Sequence, residues 1–295
     1  MPEILWLDDP ACTDPTVAGG KAANLARLIG GSSSRPDPSR PAGPECVVPP
    51  GFCLTAATHT RHRAAGPAAL ADILAAAYAQ LAARCGAADP LVAVRSSAVD
   101  EDGADASFAG MFLSVLNVRG AHAVLAAVAR CWAAADDPRV HTYRGAHGLA
   151  GGGLAVLVQV LVDADTAAVV FSVNPTRAAA DELVINANWG LGESVVGGLA
   201  TPDTWILQRP ALTVSRFQIG DKERMTVRTT TGTHEVAVPR TMRARACLSD
   251  AQVHELGQLA VHLESVMGWP VDLECAYTEG GLRLLQCRPI TRRRG

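Results

Sequence analysis

VDLECAYTEGGLRLLQCRPI, residues 271–290, alternates apolar with polar side chains on either side of a Gly-Gly pair. The pattern predicts a β-hairpin, VDLECAY and LRLLQCRP joined by a turn at Thr278-Glu279-Gly280-Gly281, because side chains two apart on a strand share a face and paired glycines support a tight turn. Asp272 and Glu274 then point one way, and Gln286 and Arg288 share a face of the return strand. Two carboxylates, an amide and a guanidinium gathered there suit Mg²⁺, which takes hard oxygen ligands, and the phosphate such an ion usually accompanies. A half-exposed antiparallel sheet presents the same spacing to water, so on this stretch alone both readings stay open.

With 295 residues the chain is long enough for one large domain or two lobes around a substantial core. Hydrophobic residues make up 48% and charged residues 19%, an ordinary soluble globular composition. A net charge of −3 offers no basic patch of the size nucleic-acid binding needs, so nucleic acid is set aside. The opening MPEILWLDDP lacks a basic n-region and a long apolar core, and no run of about 18 uninterrupted apolar residues occurs, so neither secretion nor a membrane is expected. The eight cysteines (12, 46, 53, 85, 131, 247, 275, 287) form no CxxC pair and no zinc-type spacing with histidine. They read as small buried hydrophobes in a reducing cytoplasm.

Residues 4–7 read as an edge strand. Ala18-Gly19-Gly20-Lys21 then opens an Ala/Leu-rich helix. A lysine at a glycine-led helix start meets a phosphate with its ammonium and with free backbone N–H groups, although the spacing is not that of a Walker loop and a plain surface lysine also fits. GGSSSRPDPSRPAGP, residues 30–44, is dense in turn formers and is expected to be a surface loop. Val47-Val48-Pro49-Pro50-Gly51-Phe52 leads into a strand, and Thr55 caps a helix starting near Ala56. Over 67–84 an amphipathic helix turns Leu70, Ile73, Leu74, Ala77, Tyr78 and Leu81 inward. The strand at 91–94 delivers Arg95-Ser96-Ser97 to the edge of the acidic, small-residue stretch AVDEDGADASFAG. There Gly110 lets the backbone approach a ligand, and Ser114 beyond it offers a hydroxyl.

A helix over 121–135 carries Val124, Leu125, Val128 and Trp132 inward, with His122 solvated at its start. Past the glycines at 151–153 the period becomes that of strands. Residues 154–162 and 167–173 read as adjacent strands, followed by one at 183–187. A boundary near Ala150 therefore divides the chain into lobes 1–150 and 151–295. The glycine-rich WGLGESVVGG, 189–198, either covers phosphates or turns the chain. Strands at 204–207, 213–219, 225–228 and 234–238 suggest a meander, and a helix over 249–267 capped by Ser249 leads into the hairpin.

Six stretches in order resemble the nucleotide-binding domain of phosphoenolpyruvate synthase and pyruvate phosphate dikinase, which also occurs in rifamycin phosphotransferases. They are GGKAANLARL (19–28), VPPGF (48–52), VRSSAVDEDGADASFAG (94–110), VLVQVLV (156–162), NWGLGESVVGG with Pro202-Asp203, and VDLECAY through LLQCRPIT (271–291). The RSSA and SFAG blocks combined with the D-x-E and Q-x-R pairs are specific, and they move the hairpin toward function. The resemblance implies an α/β (α+β) protein with a two-lobed ATP-grasp fold, mostly antiparallel sheets flanked by helices, binding ATP and Mg²⁺. It implies that Lys21 and Arg95 hold the β- and γ-phosphates, and that Gly110 and Ser114 belong to the loop covering them. Residues 159–162, with Gln159, Val160 and Val162, would meet adenine through the backbone. Glu274 and Gln286 would bind Mg²⁺ with help from Asp272, and Arg288 would stabilise charge on the transferred group. Phosphoryl transfer requires mainly positioning and neutralisation of charge, which two arginines, a lysine and a metal provide. Three positions depart from the family's usual pattern: Met111 stands where Gln is usual, Ser172 where Thr is, and Ala168 where Gly is.

In full-length relatives a mobile domain with a phosphorylatable histidine follows, then one for the acceptor. Here the sequence ends at RPITRRRG, and none of the eight histidines (59, 62, 122, 141, 147, 234, 254, 262) lies in a Thr-x-His-Ala motif. A separate phosphohistidine-domain protein is therefore expected to carry the group onward. A self-contained ATP-grasp kinase or ligase acting on a small-molecule acceptor is a second reading, and a regulatory nucleotide-binding module without turnover is a third. Lys21, Arg95, Glu274, Gln286 and Arg288 together argue against the third, since binding alone does not require so many phosphate ligands.

Overall fold

The computed structural model describes residues 1–33, 44, 46–98, 113–135, 153–177, 181–198, 200–230 and 232–290. They form two compact units, one of Met1–Ser33 and Pro49–Leu161, the other of the described residues within Ser34–Val48 and Val162–Gly295.

In the first unit β1 (Ile4–Trp6), β2 (Gly51–Leu54), β3 (Val92–Ala98), β4 (Ser114–Val118) and β5 (Leu154–Val160) make one antiparallel sheet in the order β1-β2-β5-β3-β4. The central strands β3 and β5 are buried along nearly their whole length because helices lie on both faces. On one face sits α1 (Pro15–Ser33). The short α2 (Ala56–His62) starts at Thr55, whose hydroxyl accepts from the Thr58 N–H. On the opposite face α3 (Ala71–Cys85) and α4 (Ala121–Ala135) bury Leu74, Tyr78, Leu81, Val124, Val128 and Trp132 against Val92, Val94, Val156 and Val158.

Ile73 does not join this stripe and stays exposed. Leu70, Leu74, Ala77, Tyr78 and Leu81 already fill the contact at helical spacing, and residues 67–70 form a separate 3₁₀ turn. Ala68–Cys85 has the length and apolarity of a membrane span, but its large apolar side chains Leu74, Tyr78 and Leu81 are spent on this core.

Ala150 lies outside the described residues. The two strands after it are not neighbours: β5 hydrogen-bonds between β2 and β3, which places it in the first unit. Alternation in a sequence fixes which side chains share a face and leaves the pairing partner open.

In the second unit β6 (Thr166–Phe171), β7 (Glu182–Trp189), β8 (Asp203–Gln208), β9 (Thr213–Gln218), β12 (Val271–Thr278) and β13 (Gly281–Pro289) form a six-stranded antiparallel sheet in the order β13-β12-β6-β7-β8-β9. One face carries Val170, Ile185, Leu207 and Leu273, all buried. The helix Asp250–Met267 packs here through Val253, Leu256, Leu259 and Leu263, and Ser249 and Gln252 form a full capping box at its start. The expected meander breaks after β9. β10 (Arg224–Thr229) and β11 (Gly232–Ala237) pair with each other as a separate two-stranded sheet, bridged at Thr226 to Gly190 and Leu191. The chain leaves the large sheet because the Gly220 N–H and the Lys222 ammonium both bond the buried carboxylate of Asp203. The whole is α+β, with antiparallel sheets flanked by helices, as expected from the sequence.

Candidate functional site

Lys21 sits where α1 is broken. Gly19 has φ 73° and ψ 167°, so the helix restarts behind it and Lys21 lies in the first turn of the new segment. The restart is docked on β3: the Ser97 hydroxyl donates to the Ala18 carbonyl at 2.8 Å and accepts from the Ala22 N–H at 3.2 Å. The Lys21 ammonium is buried and donates to the Ser96 carbonyl at 3.1 Å. A Cβ on residue 19 would lie 1.9 Å from the Ser97 carbonyl oxygen, in a backbone region L-residues avoid. Gly19→Ala is therefore expected to lower stability by about 2–3 kcal/mol in urea denaturation and to displace Lys21, which a weakened ATP affinity would register. Full stability in the variant would show that the glycine is not required there.

Arg95 lies on β3 opposite Leu157 of β5 and Ser114 of β4, so Arg95 and Ser114 share a face. By alternation it is also the face of Ser97, the side on which α1 docks. Gln159, two residues from Leu157, shares that face; it is buried and donates to the Pro49 carbonyl at 3.2 Å. The N–H groups of Val160 and Leu161 are committed to the carbonyls of Pro50 and Leu91, both at 2.9 Å. Gly110 and Met111 lie outside the described residues.

The hairpin forms as its spacing predicts. Asp272 stands directly opposite Arg288, and Glu274 opposite Gln286, so all four share one face. The register then steps from Glu274–Gln286 to Cys275–Leu284 across a β-bulge, the kind of irregularity that re-aims side chains beside a site. The consecutive Leu284-Leu285, which break the alternation, were its signal in the sequence. The Asp272 Oδ2 accepts from the Arg288 Nε at 2.8 Å. Asp272 is 6% exposed, and its Oδ1 is buried without a hydrogen-bond partner among the described residues. A buried carboxylate oxygen with nothing to bond is what a cation would satisfy.

Among the described residues no cluster of three His, Cys, Asp or Glu side chains is placed to hold a metal. The hairpin offers instead two carboxylates and the Gln286 amide. That set fits Mg²⁺, which needs few protein oxygens because it keeps waters and takes phosphate oxygens. The departures from the family pattern are quiet here. The Ser172 hydroxyl accepts from the Val271 N–H at 2.9 Å at the start of β12, and Ala168 is buried between Cys275 and Ala187.

Burial pushes the Asp272 carboxyl above its ordinary 3.8; the Arg288 guanidinium opposes the rise and Glu274 adds to it. The folded state thus holds this proton more tightly than the unfolded chain. The stability the group contributes is full below pH 3.8 and is lost as pH rises through the raised value. Asp272→Asn removes that loss, so the variant's unfolding free energy is expected to decline less than the parent's from pH 3.8 toward neutrality. Urea denaturation over a pH series measures this, and parallel profiles would show that Asp272 titrates normally.

The glycine-rich stretch 189–198 is a packed turn. The Gly190 N–H bonds the Asp165 carbonyl and the Leu191 N–H the Thr226 carbonyl, at 2.9 and 2.8 Å, ahead of a short helix, Glu193–Val196. Sequence reasoning passed over Lys222, whose buried ion pair with Asp203 braces the start of β8. Its only signal was a lysine following Gly220-Asp221 in a turn.

Residues 59–295 match the family described as pyruvate phosphate dikinase, AMP/ATP-binding domain. The chain is 36% identical to a probable phosphoenolpyruvate synthase of Methanocaldococcus jannaschii, over 99% of this chain and 27% of that protein. It is 33% identical to a probable phosphoenolpyruvate synthase of Methanothermobacter thermautotrophicus, over 98% of this chain and 46% of the relative. With the prodigiosin synthesizing transferase PigC of Serratia marcescens it shares 34% identity, over 98% of this chain and 33% of the other. The fold and these likenesses define an ATP-binding domain of phosphotransferase type. The chain belongs to the pyruvate phosphate dikinase AMP/ATP-binding domain family. It spans between 27% and 46% of the length of these three relatives.

Proposed function

We propose that this chain binds Mg-ATP in an ATP-grasp manner and positions it for phosphoryl transfer of the dikinase kind, with a histidine carrier supplied from outside these 295 residues. The observation that carries the reading is the hairpin face: a carboxylate oxygen of Asp272 buried without a partner among the described residues, beside Glu274 and Gln286, with Arg288 held against the other oxygen. Mg²⁺ bound to these oxygens supplies charge neutralisation at the β- and γ-phosphates. Arg288 stabilises charge on the group in transfer, and the Asp272 bond fixes its orientation in advance, so little reorganisation is needed. Lys21 and Arg95 hold phosphate oxygens, joined by the Ser114 hydroxyl and the Gly110 backbone. The Val160 and Leu161 N–H groups are occupied, so adenine is met in 159–162 through the remaining backbone groups of Gln159, Val160 and Val162. The eight free cysteines support a cytoplasmic setting, and burial pushes the Cys12 and Cys46 thiols up to about 12, which keeps them inert.

The test is incubation with ATP and Mg²⁺, alone and with a histidine-domain protein, followed by separation of AMP, ADP and phosphate. AMP and phosphate formed only in the mixture, with the partner phosphorylated, is the expected result. Turnover without the partner but dependent on an added small molecule would assign the chain to direct kinases or ligases. Binding without turnover under both conditions would leave a regulatory module, and failure to bind ATP would refute the reading.

A further inference from the structure

The face that carries Glu274 and Gln286 continues beyond the hairpin. In register across the sheet, Gln286 faces Glu274, Glu274 faces Val169 of β6, Val169 faces Asn186 of β7, and Asn186 faces Thr204 of β8. Asparagine is disfavoured in strands, and Asn186, half-buried in the middle of a six-stranded sheet, leaves its amide accessible to solvent or a ligand as well as to a partner within the sheet. Asn186 has half of one. The Thr204 hydroxyl donates to its Oδ1 at 2.9 Å, which commits the oxygen and leaves Nδ2 as the donor to be met, and no described residue accepts from Nδ2. Thr204 is itself held firmly, because Asp203 next to it takes hydrogen bonds from the N–H groups of Gly220 and Cys247 and from Lys222.

We propose that Asn186 is a nucleotide-binding residue whose Nδ2 donates to a ribose hydroxyl oxygen. The inference rests on the reading of the hairpin as the Mg-ATP phosphate site and extends that site by one residue. Two strand spacings separate Asn186 from Glu274, about 10 Å, which is beyond the phosphates bound at the metal and within reach of the sugar attached to them. The chemistry agrees. A neutral amide suits a neutral hydroxyl, whereas the charged donor Arg288 stands at the phosphate end. Half-buried Val169 lies between the two as an aliphatic floor for the C–H face of a sugar.

The experiment measures binding of ATP, 2′-deoxy-ATP and 3′-deoxy-ATP, each with Mg²⁺, to the parent chain, Asn186→Ala and Thr204→Val, with thermal unfolding to confirm that each is folded. The parent is expected to prefer ATP over one of the deoxynucleotides by about tenfold. Asn186→Ala should lose about tenfold in ATP affinity and bind ATP and that analogue alike, and Thr204→Val should lose affinity in the same direction by a smaller factor. Parent-like ATP binding by Asn186→Ala, or an equal loss for ATP and both analogues, overturns the role given to Asn186 while leaving the phosphate site standing. A parent chain that binds none of the three overturns the Mg-ATP reading itself, and Asn186 with it.

Discussion

Arg288→Ala is expected to lower ATP turnover by about 10²- to 10³-fold with the second unit still folded. The guanidinium projects from β13 directly opposite Asp272, and its Nε is already bonded to the carboxylate while the side chain stays 34% exposed. Such a donor is aimed before substrate arrives, and its electrostatic benefit falls on the charge that develops during transfer. Truncation strands Asp272, but burial has already raised that carboxyl's affinity for a proton, so the acid can neutralise itself and the damage to folding is limited. The rate and the stability therefore separate. If Arg288 served only as a counter-ion for Asp272, the variant would keep its rate. Measuring turnover and ATP affinity in Arg288→Ala and Arg288→Lys distinguishes the cases. Lysine keeps the charge and loses the planar fork, so it should recover only part of the rate. A parent-like rate in the alanine variant would remove Arg288 from the chemistry.

The hairpin was legible because its information is local. Spacing of two on each strand fixes a common face within that strand, whereas the pairing of Asp272 with Arg288 and of Glu274 with Gln286 also needs the β-bulge, because the turn alone, with Thr278 opposite Gly281, would set Glu274 against Leu285. The caps at Thr55 and Ser249 were legible for the same reason, since each is a hydroxyl three positions from the N–H it serves. What the sequence did not disclose is non-local. The 154–162 run has the burial of a central strand, but only folding shows that it lies between β2 and β3. Asn186 carries no motif; it gains meaning from a register that runs through four other strands. Lys222 looked like any charged residue in a turn, and nothing nearby in sequence says that its partner lies 19 positions back. Gly19 was read for its nearness to a phosphate-seeking lysine, and the structure gives it a prior task, which is to let the chain pass the Ser97 carbonyl.

Lys222→Met is expected to cost about 3–5 kcal/mol of unfolding free energy. Both members of the pair are 0% exposed, so removing the ammonium leaves the Asp203 carboxylate in the interior without its counter-ion. The carboxylate cannot simply be deleted in compensation, because it also accepts from the Gly220 N–H at 2.8 Å and the Cys247 N–H at 2.9 Å. Lys222→Met with Asp203→Leu removes both charges but orphans two buried donors, each worth about 1–3 kcal/mol, and should recover little. Lys222→Met with Asp203→Asn keeps an oxygen for one of those donors and carries no charge, so it should recover more than the leucine combination. Urea denaturation of the three variants and the parent tests the order. Loss of under about 1 kcal/mol in Lys222→Met would mean that the pair is not an isolated buried charge pair. The loss should also reach the glycine-rich turn. Lys222 fixes the chain two residues before β10, and the Thr226 carbonyl of β10 receives the Leu191 N–H. In Lys222→Met the backbone amide of Leu191 is therefore expected to exchange with solvent faster than in the parent, by the same mechanism that lowers the global stability.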